Sequence, residues 1–238
     1  MKLTYKNEIV CNNCGSPNPE YEYKCSNCKA FLRDRIVNID LGETLIRIID
    51  TPAETFRKIK FSEHKNYIFF LLFFLSIRFL ILSRFISVPF VYETIKLNTL
   101  FLILISFGIT IILFLFLSFL FQKIISLLNI KVRFKDILAV IIYSLLPNVF
   151  ALFILFPIEL VFYGEYLFSN NPYPFQIKES VFYFLLVVES LTILWSIFLA
   201  YIGIKEFVKA KLFSFMISVL MWFIISLALF LQSKLFLI

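Results

Sequence analysis

The chain has 238 residues, of which 61% are hydrophobic, 19% aromatic and only 16% charged. Soluble globular proteins carry about 25% charged residues, so this composition excludes a soluble globular domain and indicates an integral membrane protein whose apolar surface faces lipid. The formal net charge of +7 is better explained by membrane orientation than by nucleic-acid binding, because of where the basic residues lie along the chain.

All four cysteines lie near the N-terminus in two Cys-x-x-Cys turns, Cys11 with Cys14 and Cys25 with Cys28. Two such turns offer four thiolates to one tetrahedral Zn²⁺, with Zn–S bonds of about 2.3 Å. Four sulfurs fill the coordination sphere, so we predict a structural zinc in a zinc ribbon over residues 1–35. A segment this short buries little apolar surface, and the metal would therefore supply most of its stability.

Two disulfides or four unrelated thiols are the alternatives, and the compartment decides between them. Residues 1–10 are polar and contain no apolar stretch typical of a secretory signal, which favours a reducing compartment and hence the metal. Gly15 follows the first turn and accepts the positive φ often needed there. Lys29 stands at the equivalent position after the second turn and fits that backbone conformation less well.

Residues 36–66 are predicted to form amphipathic linker helices, because their apolar residues recur at helical spacing. Thr51, Pro52 and Glu54 have the pattern of a capping box with proline at the first helical position. The sequence therefore predicts that a helix starts at this point, shortly before the first apolar stretch.

The predicted linker helix has an apolar and a basic side. Phe56 and Ile59 share one face, whereas Arg57, Lys58 and Lys60 are expected to point elsewhere. We favour a helix that lies on the headgroups of an anionic leaflet. A soluble helix that packs on the ribbon is the alternative.

Residues 67–238 contain five apolar stretches of the length, about 20 residues, that crosses a hydrocarbon core. The predicted spans are residues 67–87, 99–121, 137–158, 181–203 and 211–232. The expected fold class is therefore all-α, a polytopic membrane protein of five transmembrane helices with a small N-terminal zinc ribbon.

Basic residues alternate between the two sides of this predicted bundle. The connections before span one, between spans two and three and between spans four and five are rich in Lys and Arg. The other two carry mostly acidic residues, namely Glu93 beside Lys96, and Glu159, Glu165 and Glu179 beside Lys178. By the positive-inside rule the N-terminus is cytoplasmic and the C-terminus exoplasmic, which also places the cysteines in a reducing compartment.

Two ionisable side chains stand out inside the predicted spans, Arg78 in span one and Glu189 in span four. At the helical rise both lie about 12 to 14 Å from the exoplasmic surface. An isolated charge there costs about 2.5 to 3.5 kcal/mol, so we expect the two to pair and to hold span one against span four. In span three, Pro147 predicts a kink and Asn148 is expected to bond across a helix interface.

Several short motifs resemble the Yip1 domain family. They are Thr-Pro-Ala-Glu-Thr-Phe-Arg-Lys-Ile at residues 51–59, Tyr-Ser-Leu-Leu-Pro at residues 143–147, Leu-Trp-Ser at residues 194–196, and Gly203 with Ala210. The resemblance would cover residues 38–235 and implies five membrane helices with a cytoplasmic N-terminus, the ribbon being an added module. Eukaryotic members are similar to trafficking factors that work with Rab-type GTPases, and that role is implied only by analogy.

The expected function is a membrane scaffold or adaptor, in which the ribbon docks a cytoplasmic protein and the spans organise the lipid bilayer or other membrane proteins. An enzyme is not expected, because the predicted spans offer neither a nucleophile with a base nor a histidine. Nucleic acid is not expected as a partner either, since residues 11–28 carry Lys24 as a base against Glu20 and Glu22. A second copy of the chain is a further candidate partner.

The alternative function is a small-solute or ion transporter or channel. In it Glu189, Arg78, Asn148 and Tyr143 line a path through the spans. Replacing Glu189 with Gln separates the two hypotheses, because a transporter loses activity while still folded, whereas a structural ion pair loses stability.

Overall fold

The computed structural model describes residues 8–88, 99–169 and 171–234. Helix predominates in this part of the chain, which confirms the all-α class. Glu93 and Lys96, on which part of the orientation argument depends, and the C-terminal Ile238 lie outside the described residues.

The ribbon is built from two hairpin-like turns. Strands β1 (Glu8–Val10) and β2 (Pro17–Pro19) pair antiparallel and flank the first cysteine turn. A β-bridge between Lys24 and Phe31 flanks the second turn. Because strands of three residues are too short to be stable on their own, the ribbon depends on what joins the two turns.

Two helices follow the ribbon, α1 (Leu41–Asp50) and α2 (Pro52–Phe61). The predicted start of α2 at Pro52 is confirmed, but the predicted cap is wrong, since the Thr51 side chain makes no capping hydrogen bond to α2. Thr51 is also the C-cap of α1: its backbone N–H donates to the Arg47 carbonyl at 2.8 Å, and its Oγ1 donates to the same carbonyl at 3.4 Å. The side chain therefore turns back toward α1.

Helix α2 packs on protein rather than on lipid headgroups. Phe56 and Ile59 are fully buried in the main hydrophobic core that the membrane helices form, and α2 contacts the third and fourth spans. Arg57 and Lys58 are exposed, in keeping with the expectation that they point away from this face, but Lys60 does not follow them, because its side chain is only 3% exposed. The apolar face of α2 is covered by the ends of other helices, so it is not available to a membrane surface.

Five candidate membrane spans follow within the described residues, as predicted. Their helices are α3 (Ile68–Ser87), α4 (Thr99–Ser126), α5 (Phe134–Ser144), α6 (Leu146–Phe153), α7 (Leu155–Tyr163), a 3-10 turn (Gly164–Phe168), the short α8 (Pro174–Ile177), α9 (Glu179–Val208) and α10 (Lys211–Lys234). The third span is made of α5, α6, α7 and the 3-10 turn. Most helices run past the predicted bounds, because helical hydrogen bonding continues beyond the apolar stretch that hydropathy detects.

The third span is the centre of the bundle. Of its most apolar segment 78% is buried, against 22% to 44% for the other four spans. The kink predicted at Pro147 is confirmed by a break at Leu145, between α5 and α6, and a second break follows at Ile154, three residues before Pro157. With these breaks the third span packs against α3, α4 and α9.

Candidate metal centre and intramembrane polar site

The two cysteine turns have the same backbone hydrogen bonds. The N–H of Gly15 donates to the Cys11 carbonyl at 2.8 Å, and the N–H of Lys29 donates to the Cys25 carbonyl at 3.1 Å. Gly15 and Lys29 both have positive φ, +70° and +62°. The positive φ predicted for Gly15 is thereby confirmed. Lys29 has a Cβ that disfavours this region, and its Nζ bonds the Ser26 carbonyl at 3.1 Å in the same turn.

The four sulfur atoms converge on one point. Cys11 Sγ lies 3.5 Å from Cys28 Sγ, Cys14 Sγ lies 3.5 Å from Cys25 Sγ, and all four lie within 4.8 Å of one another. A tetrahedral ion with bonds of about 2.3 Å places its sulfurs about 3.8 Å apart, so the four could hold one metal ion. The cysteines are free, which sets the structure apart from the two-disulfide alternative.

Asn18 ties the two turns together, and sequence analysis did not identify it. It is buried between the turns, its Nδ2 donates to the Ser16 carbonyl at 2.8 Å, and its Oδ1 accepts from the Ser26 backbone N–H at 2.9 Å. Near the first turn, hydrogen bonds from the side chain and backbone of Ser16 lower the pKa of Cys14 to about 6. A thiolate at neutral pH is the form that binds metal.

The ribbon is attached to the helical part through Glu20. Its Oε2 lies 2.9 Å from Nζ of the buried Lys60, and that Nζ also donates to the Glu206 carbonyl of α9 at 2.7 Å. Burial in this contact lowers the pKa of Lys60. Burying an ammonium without partners is costly. The ribbon therefore stabilises the buried Lys60 by supplying one of its two partners, the Glu20 carboxylate.

Tyr21 and Arg33 form a second attachment. The guanidinium of Arg133 lies 5.0 Å from the ring centroid of Tyr21. Nη2 of Arg33 donates to the Tyr21 carbonyl at 2.7 Å and to the Phe61 carbonyl, at the end of α2, at 3.4 Å. The ribbon therefore has one face that is held by its own helical part.

Under this attachment lies a buried charge cluster at Asp136. Its carboxylate accepts from Arg133 Nε at 2.7 Å and pairs with Lys65 Nζ at 2.9 Å, while Asp136 itself is 1% exposed. Burial lowers the pKa of Lys65 to about 8, although the neighbouring carboxylate opposes this shift. The cluster joins the segment before α3 to the start of the third span.

Inside the membrane, the predicted pair is present: Nη2 of Arg78 donates to Oε1 of Glu189. The Arg78 side chain is 0% exposed and that of Glu189 is 19% exposed. The pair joins α3 to α9, the first span to the fourth, as expected. Arg78 Nε and Nη1 and Glu189 Oε2 are buried and have no hydrogen-bond partner within the described part of the chain.

The same charged pair lines a cavity of about 110 Å³ together with Glu159. Sequence analysis placed Glu159 in the loop between the third and fourth spans, and that placement is wrong, since it lies within α7. Its neighbours Leu-Phe-Pro-Ile and Leu-Val-Phe-Tyr are almost entirely apolar, and this was the available signal that the span continues past it.

Two further polar residues of the third span, both candidates for lining a solute path, are engaged elsewhere. Nδ2 of Asn148 donates to Ser196 Oγ at 2.9 Å, which confirms the predicted bond across a helix interface. The Tyr143 hydroxyl donates to the Asn66 carbonyl, just before α3, at 2.7 Å. Neither residue lines the cavity that contains Arg78 and Glu189.

These features define the class: a multi-pass helical membrane protein that carries a four-cysteine ribbon next to one end of its bundle. The family model of the Yip1 domain matches residues 46–233, and the chain belongs to that family. The match begins inside α1 and leaves the cysteine turns outside it. No curated protein and no solved structure matches the chain.

Proposed function

We propose that this Yip1 domain protein is a membrane adaptor rather than an enzyme. In this proposal residues 1–35 form a ribbon held by one structural Zn²⁺, residues 36–66 connect it to the bundle, and residues 67–238 form the membrane part. Cys11, Cys14, Cys25 and Cys28 would be the zinc ligands, and the convergence of their sulfur atoms is the observation that supports this assignment. A closed four-sulfur site supplies folding energy and leaves no open position for catalysis.

The ribbon would dock a cytoplasmic protein through the face that its own bundle leaves uncovered. Glu20 and Tyr21 lie on the attached face, whereas Phe31 is 73% exposed and has the ammonium of Lys24 5.1 Å from its ring centroid. An exposed aromatic ring beside a cation is the kind of anchor that dominates protein interfaces. Because the other face is fixed, the ribbon presents this anchor in a defined orientation.

The orientation proposed for the protein has the N-terminus in the cytoplasm and the C-terminus on the exoplasmic side. The ribbon contacts Arg133, Lys60 and Lys209, the last at the end of α9. These belong to the three basic regions that the positive-inside rule assigns to the cytoplasm. Labelling in intact cells tests it, since a cysteine introduced by Ile46→Cys, at an exposed position of α1 outside the zinc ligands, should react with an impermeant maleimide only after the membrane is opened.

Proximity labelling from the N-terminus of the full chain tests the docking proposal. Phe31→Ser should abolish labelling of a specific cytoplasmic protein. Ile46→Ser should not, because it removes an equally exposed apolar side chain from α1, outside the ribbon. Equal labelling by the two variants would contradict docking at Phe31.

The transporter alternative has weaker support, because two of its four path residues, Tyr143 and Asn148, do not line the cavity of Arg78 and Glu189. Glu189→Gln remains the discriminating variant. Loss of solute or ion flux in proteoliposomes at unchanged thermal stability would favour a transporter over an adaptor.

A further inference from the structure

We propose that the cavity around Arg78 and Glu189 binds the head and the start of the acyl chain of one neutral glyceride, a lipid whose glycerol carries both an ester and a free hydroxyl, while the rest of the chain lies in the bilayer. The site is independent of the ribbon and of the adaptor proposal. Its support is the combination of apolar walls with three buried polar atoms that lack partners in the described residues.

The cavity has the form of an apolar slot with a polar end. Its walls come from α3, α7, the 3-10 turn and α9, and they are mostly aliphatic and aromatic, with Phe85 and Phe182 among them. Leu167 and Phe168 of the 3-10 turn, at the end of the third span, contribute a further part of the wall. Such walls suit a hydrocarbon chain and offer water few hydrogen bonds.

The slot is open toward the lipid. Leu186 lines it and is also 45% exposed on α9, on a span of which only 22% of the most apolar segment is buried. A lipid chain can therefore enter from the bilayer without passing through water. The polar end lies nine residues from the end of α3 at Ser87, about 13 Å along the helix axis.

The unpartnered atoms specify the chemistry of the head. Arg78 Nε and Nη1 are donors and need acceptor oxygens, whereas Glu189 Oε2 is an acceptor and needs a donor. An ester carbonyl supplies the first and a hydroxyl supplies the second. An unpaired buried group of this kind is costly, so a ligand that carries both groups gains more than one that carries either alone.

The charges disfavour an ionic ligand. Arg78 and Glu189 already neutralise each other, and Glu159 adds a second carboxyl group to the same cavity. A fatty carboxylate or a phosphate would meet these two acidic groups, and an ammonium would meet the guanidinium, in a medium where such contacts are weakly screened. A neutral head avoids both.

The test uses the full-length protein in phosphatidylcholine nanodiscs with a photoreactive monoacylglycerol that carries a diazirine in its chain. Mass spectrometry should map the adduct to α3 and α9 peptides at the cavity. Unlabelled monoolein should compete about five-fold better than methyl oleate, which has the carbonyl but lacks the hydroxyl, and better than oleate at pH 8. Competition by oleate equal to that by monoolein would overturn the neutral head.

A pair of matched variants tests the location. Leu186→Trp fills the slot and should lower the labelling at least about five-fold. Leu191→Trp makes the same substitution at an exposed leucine of α9 that does not line the cavity, and it should label within two-fold of the wild type. Equal labelling of both variants, or labelling spread over all lipid-facing helices, would mean annular lipid only and would overturn the site. If a variant folds poorly, competition by monoolein, methyl oleate and oleate on the wild-type protein still tests whether the cavity prefers a neutral lipid head with a hydroxyl.

Discussion

Of the five glycines, Gly203 has the tightest surroundings, and Gly203→Ala is the sharpest test of the packing. A Cβ at this position would lie 2.5 Å from Cγ1 of Val140 on α5 and 3.0 Å from Cδ1 of Phe56 on α2. Carbon atoms in contact prefer about 3.5 to 4.0 Å. Both neighbours are buried, so neither side chain can move out of the way without disturbing the core.

Two opposing terms set the magnitude. Overpacking of this kind costs about 1 to 3 kcal/mol, while replacing a helical glycine with alanine returns up to about 1 kcal/mol of helix propensity. A contact of 2.5 Å places the cost in the upper part of that range, about 2 to 3 kcal/mol, so after the helix-propensity gain we expect Gly203→Ala to lower the free energy of unfolding by about 1 to 2 kcal/mol. The melting temperature in detergent or nanodiscs should fall by about 2 to 8 °C for a chain of this size.

Gly108 provides the matched control, because a Cβ at that position of α4 has nothing within 4 Å. Gly108→Ala should leave the melting temperature unchanged or raise it. Adding Val140→Ala to Gly203→Ala removes the clashing methyl group, so the double variant should lose less stability than the sum of the two single variants. If Gly203→Ala melts at or above the wild-type temperature, the close packing of α2 and α5 on α9 is refuted.

Three further outcomes are expected. Purified wild-type protein should contain about one zinc per chain by elemental analysis and Cys14→Ser far less; iron in place of zinc, or equal metal in the two proteins, would contradict the zinc ribbon. Asp136→Asn should lower stability by about 3 to 5 kcal/mol, because it leaves the buried Lys65 and the partly exposed Arg133 beside a neutral group, whereas Glu165→Gln at an exposed position should change it by less than about 0.5 kcal/mol. The pKa of Lys65 is lowered to about 8 from 10.5 in the folded protein, so between these pH values the unfolded chain binds more protons than the folded one. The free energy of unfolding of the wild type should therefore rise with pH from about 8 to 10.5. Denaturation at each pH measures it, and the rise should be smaller in Lys65→Met. Identical pH profiles for the two proteins would show that Lys65 is not the source.

The cysteine set and the number of spans could be predicted from the sequence, because both are local properties. Two Cys-x-x-Cys turns bring sulfurs together by backbone geometry alone, and the hydrogen bonds of Gly15 and Lys29 show this directly. A lipid-facing helix must be apolar over its own length, so each span appears in the sequence without reference to its neighbours. Arg78 and Glu189 could be matched for a similar reason, since helical rise converts sequence position into depth.

The placement of α2 and of Lys60 could not be predicted in the same way. The apolar face of a helix predicts that the face is buried, but not by what. Whether lipid or α5 and α9 bury the face of α2 depends on contacts between residues far apart in the chain. Lys60 is buried because Glu20 of the ribbon and a carbonyl of α9 meet at its ammonium, whereas the helical pattern predicted only that it points away from Phe56 and Ile59.

The sequence by itself determined that this is a five-span membrane protein with a metal-suited cysteine cluster at its start, because spacing and hydropathy act within each segment. Only the tertiary structure decided that the third span is the central one and that Glu159 joins the cavity of Arg78 and Glu189. All five spans are apolar, so composition cannot rank them. Their order in the bundle is set by close contacts such as that of Gly203 with Val140, which bring together residues 63 positions apart.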